Sequence, residues 1–133
     1  MQWITLITGA PLDLAAIGRA CRMIGHLNLE TTPPRLTVDG TGSGDAGARG
    51  FFTFIPDNSV GLAFPDHQLT LIRQILPDPH YTILRFRRAA DAESAIAALD
   101  PGGPVLIVND HGLLLSLDEV KHRIAMKEEW LAG

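Results

Sequence analysis

Cysteine is all but missing: Cys21 is the only one in 133 residues. An internal disulfide is thereby excluded, as is a cysteine-built zinc site, and a reducing cytoplasm is the expected setting. Positive charge is scarce too, and a formal net charge of −4 argues against general nucleic-acid binding. No apolar run approaches the ~20 residues of a membrane span. The first residues lack the basic region and long apolar stretch of a signal peptide. Repeats, low-complexity tracts and charge blocks are absent as well. What is present, at 46% hydrophobic and 20% charged residues, is the composition of a folded chain. We expect one domain over 1–133, large enough for a core without metal or disulfide support.

Periodicity and punctuation predict the order β-α-β-β-β-α-β-α-β-β-α. Trp3–Thr8 reads as a short apolar strand. Pro11 suits the first turn of a helix whose stripe runs through Leu14, Ile17, Gly18, Cys21, Ile24 and Gly25, so Cys21 is expected to be buried and unreactive. The polar, proline-bearing stretch 28–34 reads as a loop. Three antiparallel strands are expected at 36–39, 51–55 and 60–64, the last two joined by the turn Pro56-Asp57-Asn58-Ser59. Asp66 reads as the cap of a helix carrying Leu69, Ile72, Ile75 and Leu76, ended by Pro77. A strand over 81–87 follows, then an alanine-rich helix capped by Asp91. Strands at 105–108 and 113–115 flank the turn Asn109-Asp110-His111-Gly112, and Ser116 with Glu119 opens the last helix as a capping box. The order predicts an α+β fold: a mixed, largely antiparallel sheet with about four helices packed against it.

The stretch Asp39 to Gly50 holds five glycines in twelve residues. Gly42-Ser43-Gly44-Asp45-Ala46-Gly47 satisfies G-x-G-x-x-G, yet a dinucleotide site needs a helix opening there, and Phe51–Ile55 is β-prone instead. Asp39, Gly42, Gly44, Asp45 and Gly50 stand where the second signature of ribokinase-like carbohydrate kinases has its matching residues. The resemblance covers about a tenth of the chain. It implies Asp45 as the base for a substrate hydroxyl, with Gly42, Ser43 and Gly44 forming an anion hole for the transferred phosphoryl group. Gly40, Ser43 and Gly47 depart from that signature's Thr, Ala and bulky residue, and a strand follows where the family has a helix. The reading taken is a glycine-rich hairpin loop.

Elsewhere, Asp110 and His111 are the best acid–base candidates, being loop residues after an apolar strand. The turn reading accounts for that segment without catalysis. His26, His67, His80, His111 and His122 form no H-x-x-x-H pair, so no metal and no cofactor is expected. Arg85, Arg87 and Arg88 make the one dense positive cluster. Strand alternation puts Tyr81, Ile83, Arg85 and Arg87 on one face and Leu84 and Phe86 on the other. Tyr and Arg are enriched at the energetic centres of interfaces, so Tyr81, Arg85 and Arg87 are the expected partner-binding residues.

With no catalytic constellation, the expectation is a small soluble cytoplasmic binding protein that acts on another protein through its surface. Immunity, inhibitor and adaptor proteins of bacterial or phage origin share this type. The alternatives are a phosphate-holding enzyme or ligand binder at Gly40–Gly50, and a structural subunit pairing sheet edges in a homodimer.

Overall fold

The computed structural model describes residues 2–41, 50–100, 102–109 and 111–131. Seven strands form one sheet in the order β2-β3-β4-β5-β1-β6-β7, and every neighbouring pair is antiparallel. The strands are β1 (Gln2–Thr8), β2 (His26–Thr31), β3 (Pro34–Thr41), β4 (Gly50–Pro56), β5 (His80–Phe86), β6 (Val105–Val108) and β7 (Leu114–Ser116). The helices are α1 (Leu14–Ala20), α2 (Asp66–Ile75), α3 (Ala89–Ala97) and α4 (Leu117–Ala125), with a 3₁₀ helix over Asn58–Ala63. The α+β class with a sheet and four α-helices is thus the one the sequence predicts. Among the described residues, no helix is long and apolar enough to cross a membrane.

Two apolar clusters lie on opposite sides of the sheet. The larger takes Ile4, Leu6, Leu36, Val38, Phe52, Phe54, Leu84 and Phe86 from the strands and closes them under α1, α3 and α4. Phe52 and Phe54, two apart on β4, meet edge to face at 5.8 Å. The smaller cluster, beneath α2 and the 3₁₀ helix, holds Ile7, Ile72, Leu76, Tyr81, Leu106 and Val108. A strand that must fill both cores is apolar on both sides, which is why β1 reads as a continuous apolar run. Trp130 packs into the larger core at 3% exposure.

Four local expectations need correction. Residues 26–31 are a strand, not part of a loop, because β3 supplies them a full antiparallel ladder. Residues 58–63 form a 3₁₀ helix where a strand at 60–64 is expected; the Asp57 carboxylate accepts from the Ser59 amide (3.0 Å) and caps it. Helix α1 starts at Leu14, because Asp13 accepts from the Ala16 amide at 3.1 Å and caps it there. Asp91 is the third residue of α3 and closes a capping box on Arg88, itself the cap. Ser116 does cap α4, accepting from the Glu119 amide at 3.1 Å.

Cys21 is fully buried in the larger core, and burial raises its thiol pKa. Native protein is expected to label with a thiol reagent only as fast as it opens, and stoichiometrically once denaturant unfolds it. Rapid labelling of the native chain would contradict this burial.

Candidate functional site

Helix α2 and the 3₁₀ helix cover only one end of their side of the sheet. Over β2, β3, β4, the Arg85 end of β5 and the start of β1, no described helix packs on that side. Cross-strand register brings its side chains into rows. One row runs Asn28, Thr37, Thr53, Arg85, Trp3, one residue from each of five strands. The next holds His26, Asp39 and Phe51. Arg87 extends it, since its amide donates to the Phe51 carbonyl at 3.3 Å.

These rows are ordered by specific contacts. The Thr53 hydroxyl donates to the Leu36 carbonyl at 3.0 Å, so it accepts from Thr37 at 2.9 Å. The Arg87 guanidinium lies over the Phe51 ring, 5.1 Å from its centroid, a cation–π pair. Trp3 stands directly opposite Arg85 and keeps 49% of its surface exposed. Burying that indole against a partner would release a large apolar area at small entropic cost, since only two side-chain torsions are fixed. Arg85 and Arg87 are themselves exposed and engaged with other groups of the chain. The face therefore offers Trp3, Phe51 and two arginines at fixed spacing on a hydrogen-bonded platform.

Of the sequence-predicted partner residues, the structure brings Arg85 and Arg87 to this face. Tyr81 is not with them. It shares their side of β5 but is 6% exposed, under Phe64 at a ring-centroid distance of 5.8 Å and inside the smaller core. Burial raises its phenol pKa, opposed by the charge of Arg73. Alternation gives the side correctly; depth is set by the 3₁₀ helix, whose Gly61 and cap residue Phe64 lie on the ring. Trp3 is the residue that sequence reasoning missed, and its signal was the odd-numbered alternation Trp3, Thr5, Ile7 against Ile4 and Leu6.

The remaining candidates fall differently. Gly42, Ser43, Gly44, Asp45 and Asp110 lie outside the described residues. Thr41 pairs with Gly50, so the glycine stretch connects a hairpin, and β4 follows it as a strand. His111 is exposed, with its amide donating to the Asn109 side-chain carbonyl at 3.0 Å. A groove of about 620 Å³ opens between the β1–α1 loop and residues 98–104, lined in part by Leu12, Asp13, Ile17, Leu99 and Asp100. Its Asp13 carboxylate is already committed to the α1 cap, and its lining holds no nucleophile beside a histidine base. Among the described residues, no group of three His, Cys, Asp or Glu side chains is placed to hold a metal.

Comparison with protein-family models, curated proteins and solved structures finds no match.

Proposed function

We propose that this chain is a binding protein whose partner, another protein, docks on the uncovered sheet face through Trp3, Phe51, Arg85 and Arg87. The observation that carries the reading is Trp3, half exposed at the end of a cross-strand row with Arg85 beside it. Trp and Arg are the residue types most concentrated at the energetic centres of interfaces. Arginine selects carboxylates through paired hydrogen bonds, so the partner surface is acidic where it meets this face. The mode of action is occupation of a partner's surface, as in immunity, inhibitor and adaptor proteins, and it needs no reacting group. A cytoplasmic setting fits the lone buried thiol.

Co-purification from the native host identifies the partner, and calorimetric titration then tests the face. Trp3→Ala, and Arg85→Ala with Arg87→Ala, are each expected to leave the circular dichroism spectrum intact while weakening binding by about 2 kcal/mol or more, the usual threshold of a hot spot. Unchanged affinity in both variants places the contact elsewhere and removes this reading.

A further inference from the structure

Strand β2 forms one edge of the sheet, hydrogen-bonded to β3 alone. Each of its residues, His26 to Thr31, is exposed. Edges of this length are commonly blunted by lysine, proline, an inward charge or a bulge. Strand β2 has no lysine, proline or bulge within 26–31 and a single charged side chain, Glu30, and its ladder to β3 runs from His26↔Asp39 to Thr31↔Pro34 without a shift. The opposite edge, β7, is only Leu114–Ser116 and turns at once into α4. One edge is closed off by brevity; the other presents a full template.

The sequence of β2 reads as self-complementary when two copies run antiparallel. We propose that β2 pairs with β2 of a second copy about a two-fold axis through Asn28, joining two seven-stranded sheets into one. In that register Asn28 faces Asn28, Leu27 faces Leu29 and Leu29 faces Leu27. His26 faces Glu30, and Glu30 faces His26, so an imidazole meets a carboxylate twice. The leucines lie on the α1 side of the sheet, 38% and 45% exposed in the single chain. Four such side chains would cluster across the axis and lose water together.

Neighbouring registers do worse. Centring on Leu29 sets Asn28 against Glu30 and Leu27 against Thr31. Centring on Leu27 sets His26 against Asn28 and leaves Leu29 beyond the ladder. Registers shifted by a single residue put leucines opposite polar side chains on the wrong face. Both leucines and the opposite-polarity pair are matched only with Asn28 on the axis, which is what commits the edge to a second copy.

The axis is perpendicular to the sheet, so each copy keeps its faces on the same side. The edge borders the Trp3–Arg85 face, with Asn28 at the far end of the same row, but the pairing uses none of Trp3, Phe51, Arg85 or Arg87 and its test does not depend on a partner.

Sedimentation velocity over a concentration series is expected to show the 14.4 kDa chain going over to twice that mass, and Leu29→Lys is expected to keep the fold and lose the dimer at least tenfold. The register has its own test. Paired Cα atoms in an antiparallel ladder lie about 4.5–5.5 Å apart, within disulfide reach. Under mild oxidant Asn28→Cys is expected to become a covalent dimer, while Glu30→Cys, facing His26, stays largely uncrosslinked. The native Cys21 is buried and gives no background. A wild-type chain that stays monomeric at high concentration overturns the proposal. So does equal crosslinking of the two cysteine variants, which would report collision without register.

Discussion

Gly50→Ala is expected to cost about 2–3 kcal/mol of stability, as overpacking of a closed site does, and to lower the midpoint of thermal unfolding by several degrees. Gly50 opens β4 and is buried against the first turn of α3. A methyl group there would overlap the Asp91 carboxylate and the Arg88 guanidinium. Neither has an easy retreat. Asp91 is 1% exposed, and Arg88 holds it with its amide at 3.0 Å, Nε at 3.2 Å and Nη2 at 2.8 Å. The same hydrogen bonding raises the pKa of the Arg88 guanidinium. Asp91→Ala is expected to destabilise as well, because it strands the bonds that close the capping box. The two substitutions share one volume, so their combination should cost clearly less than the sum of the single effects in urea unfolding. Strict additivity, or a neutral Gly50→Ala, would show that β4 and α3 do not meet in this way.

Asn109→Ala is the second large effect, at about 3 kcal/mol. Asn109 is 4% exposed. Its side-chain oxygen accepts from the amides of His111 (3.0 Å) and Leu113 (2.9 Å), and its nitrogen donates to the Trp130 carbonyl at 3.0 Å. One amide side chain thereby closes the β6–β7 turn and ties the segment after α4 to the sheet. Alanine leaves these backbone groups without a partner, and a buried unmet group costs about 1–3 kcal/mol. Asn109→Asp should retain the two acceptor contacts yet remain destabilised at neutral pH, since a carboxylate cannot donate to the Trp130 carbonyl. Equilibrium denaturation followed by far-ultraviolet circular dichroism measures both. A change below about 0.5 kcal/mol, typical of surface substitutions, would remove this role.

How far the fold is legible in the sequence depends on how much each element relies on its own residues. The Asn109–Gly112 turn is legible because its chemistry is local: the Gly112 amide donates to the Asn109 carbonyl at 3.0 Å, with Gly112 at a φ of 79°. Burial of Cys21 follows from its place after Leu14 and Ile17 on the α1 stripe, although the helix ends at Ala20 and leaves the expected stripe residue Ile24 exposed. The two misread segments are short, and there periodicity is ambiguous. Val60, Leu62 and Phe64 alternate like a strand, but Gly61 must lie flat on the Tyr81 ring, where a Cβ would come within 2.7 Å. His26–Thr31 alternates too, with Leu27 and Leu29 between polar residues, but Pro33 and Pro34 directly after it carry the local signature of a loop. The candidate face is the least legible part. Its residues lie as much as eighty-odd positions apart, and only register sets Trp3 beside Arg85. Tyr81 shows the reverse limit, since no pattern within β5 announces that the 3₁₀ helix and Phe64 will cover it.

The placement of β1 has a consequence for the chain as it is made. This strand sits inside the sheet, between β5 and β6, and bonds to neither β2 nor β3. Its partners begin at His80 and Val105. A ribosome adding about 5–20 residues per second needs roughly 5–20 seconds to deliver the nearly one hundred residues between β1 and β6. For most of that interval, until β5 is made, the β2–β3–β4 meander can pair within itself, whereas β1 has no strand beside it. Strand β1 is thus the strand that waits longest for both of its neighbours. Attachment of holding chaperones to nascent chains should centre on β1 and end when β6 clears the exit tunnel.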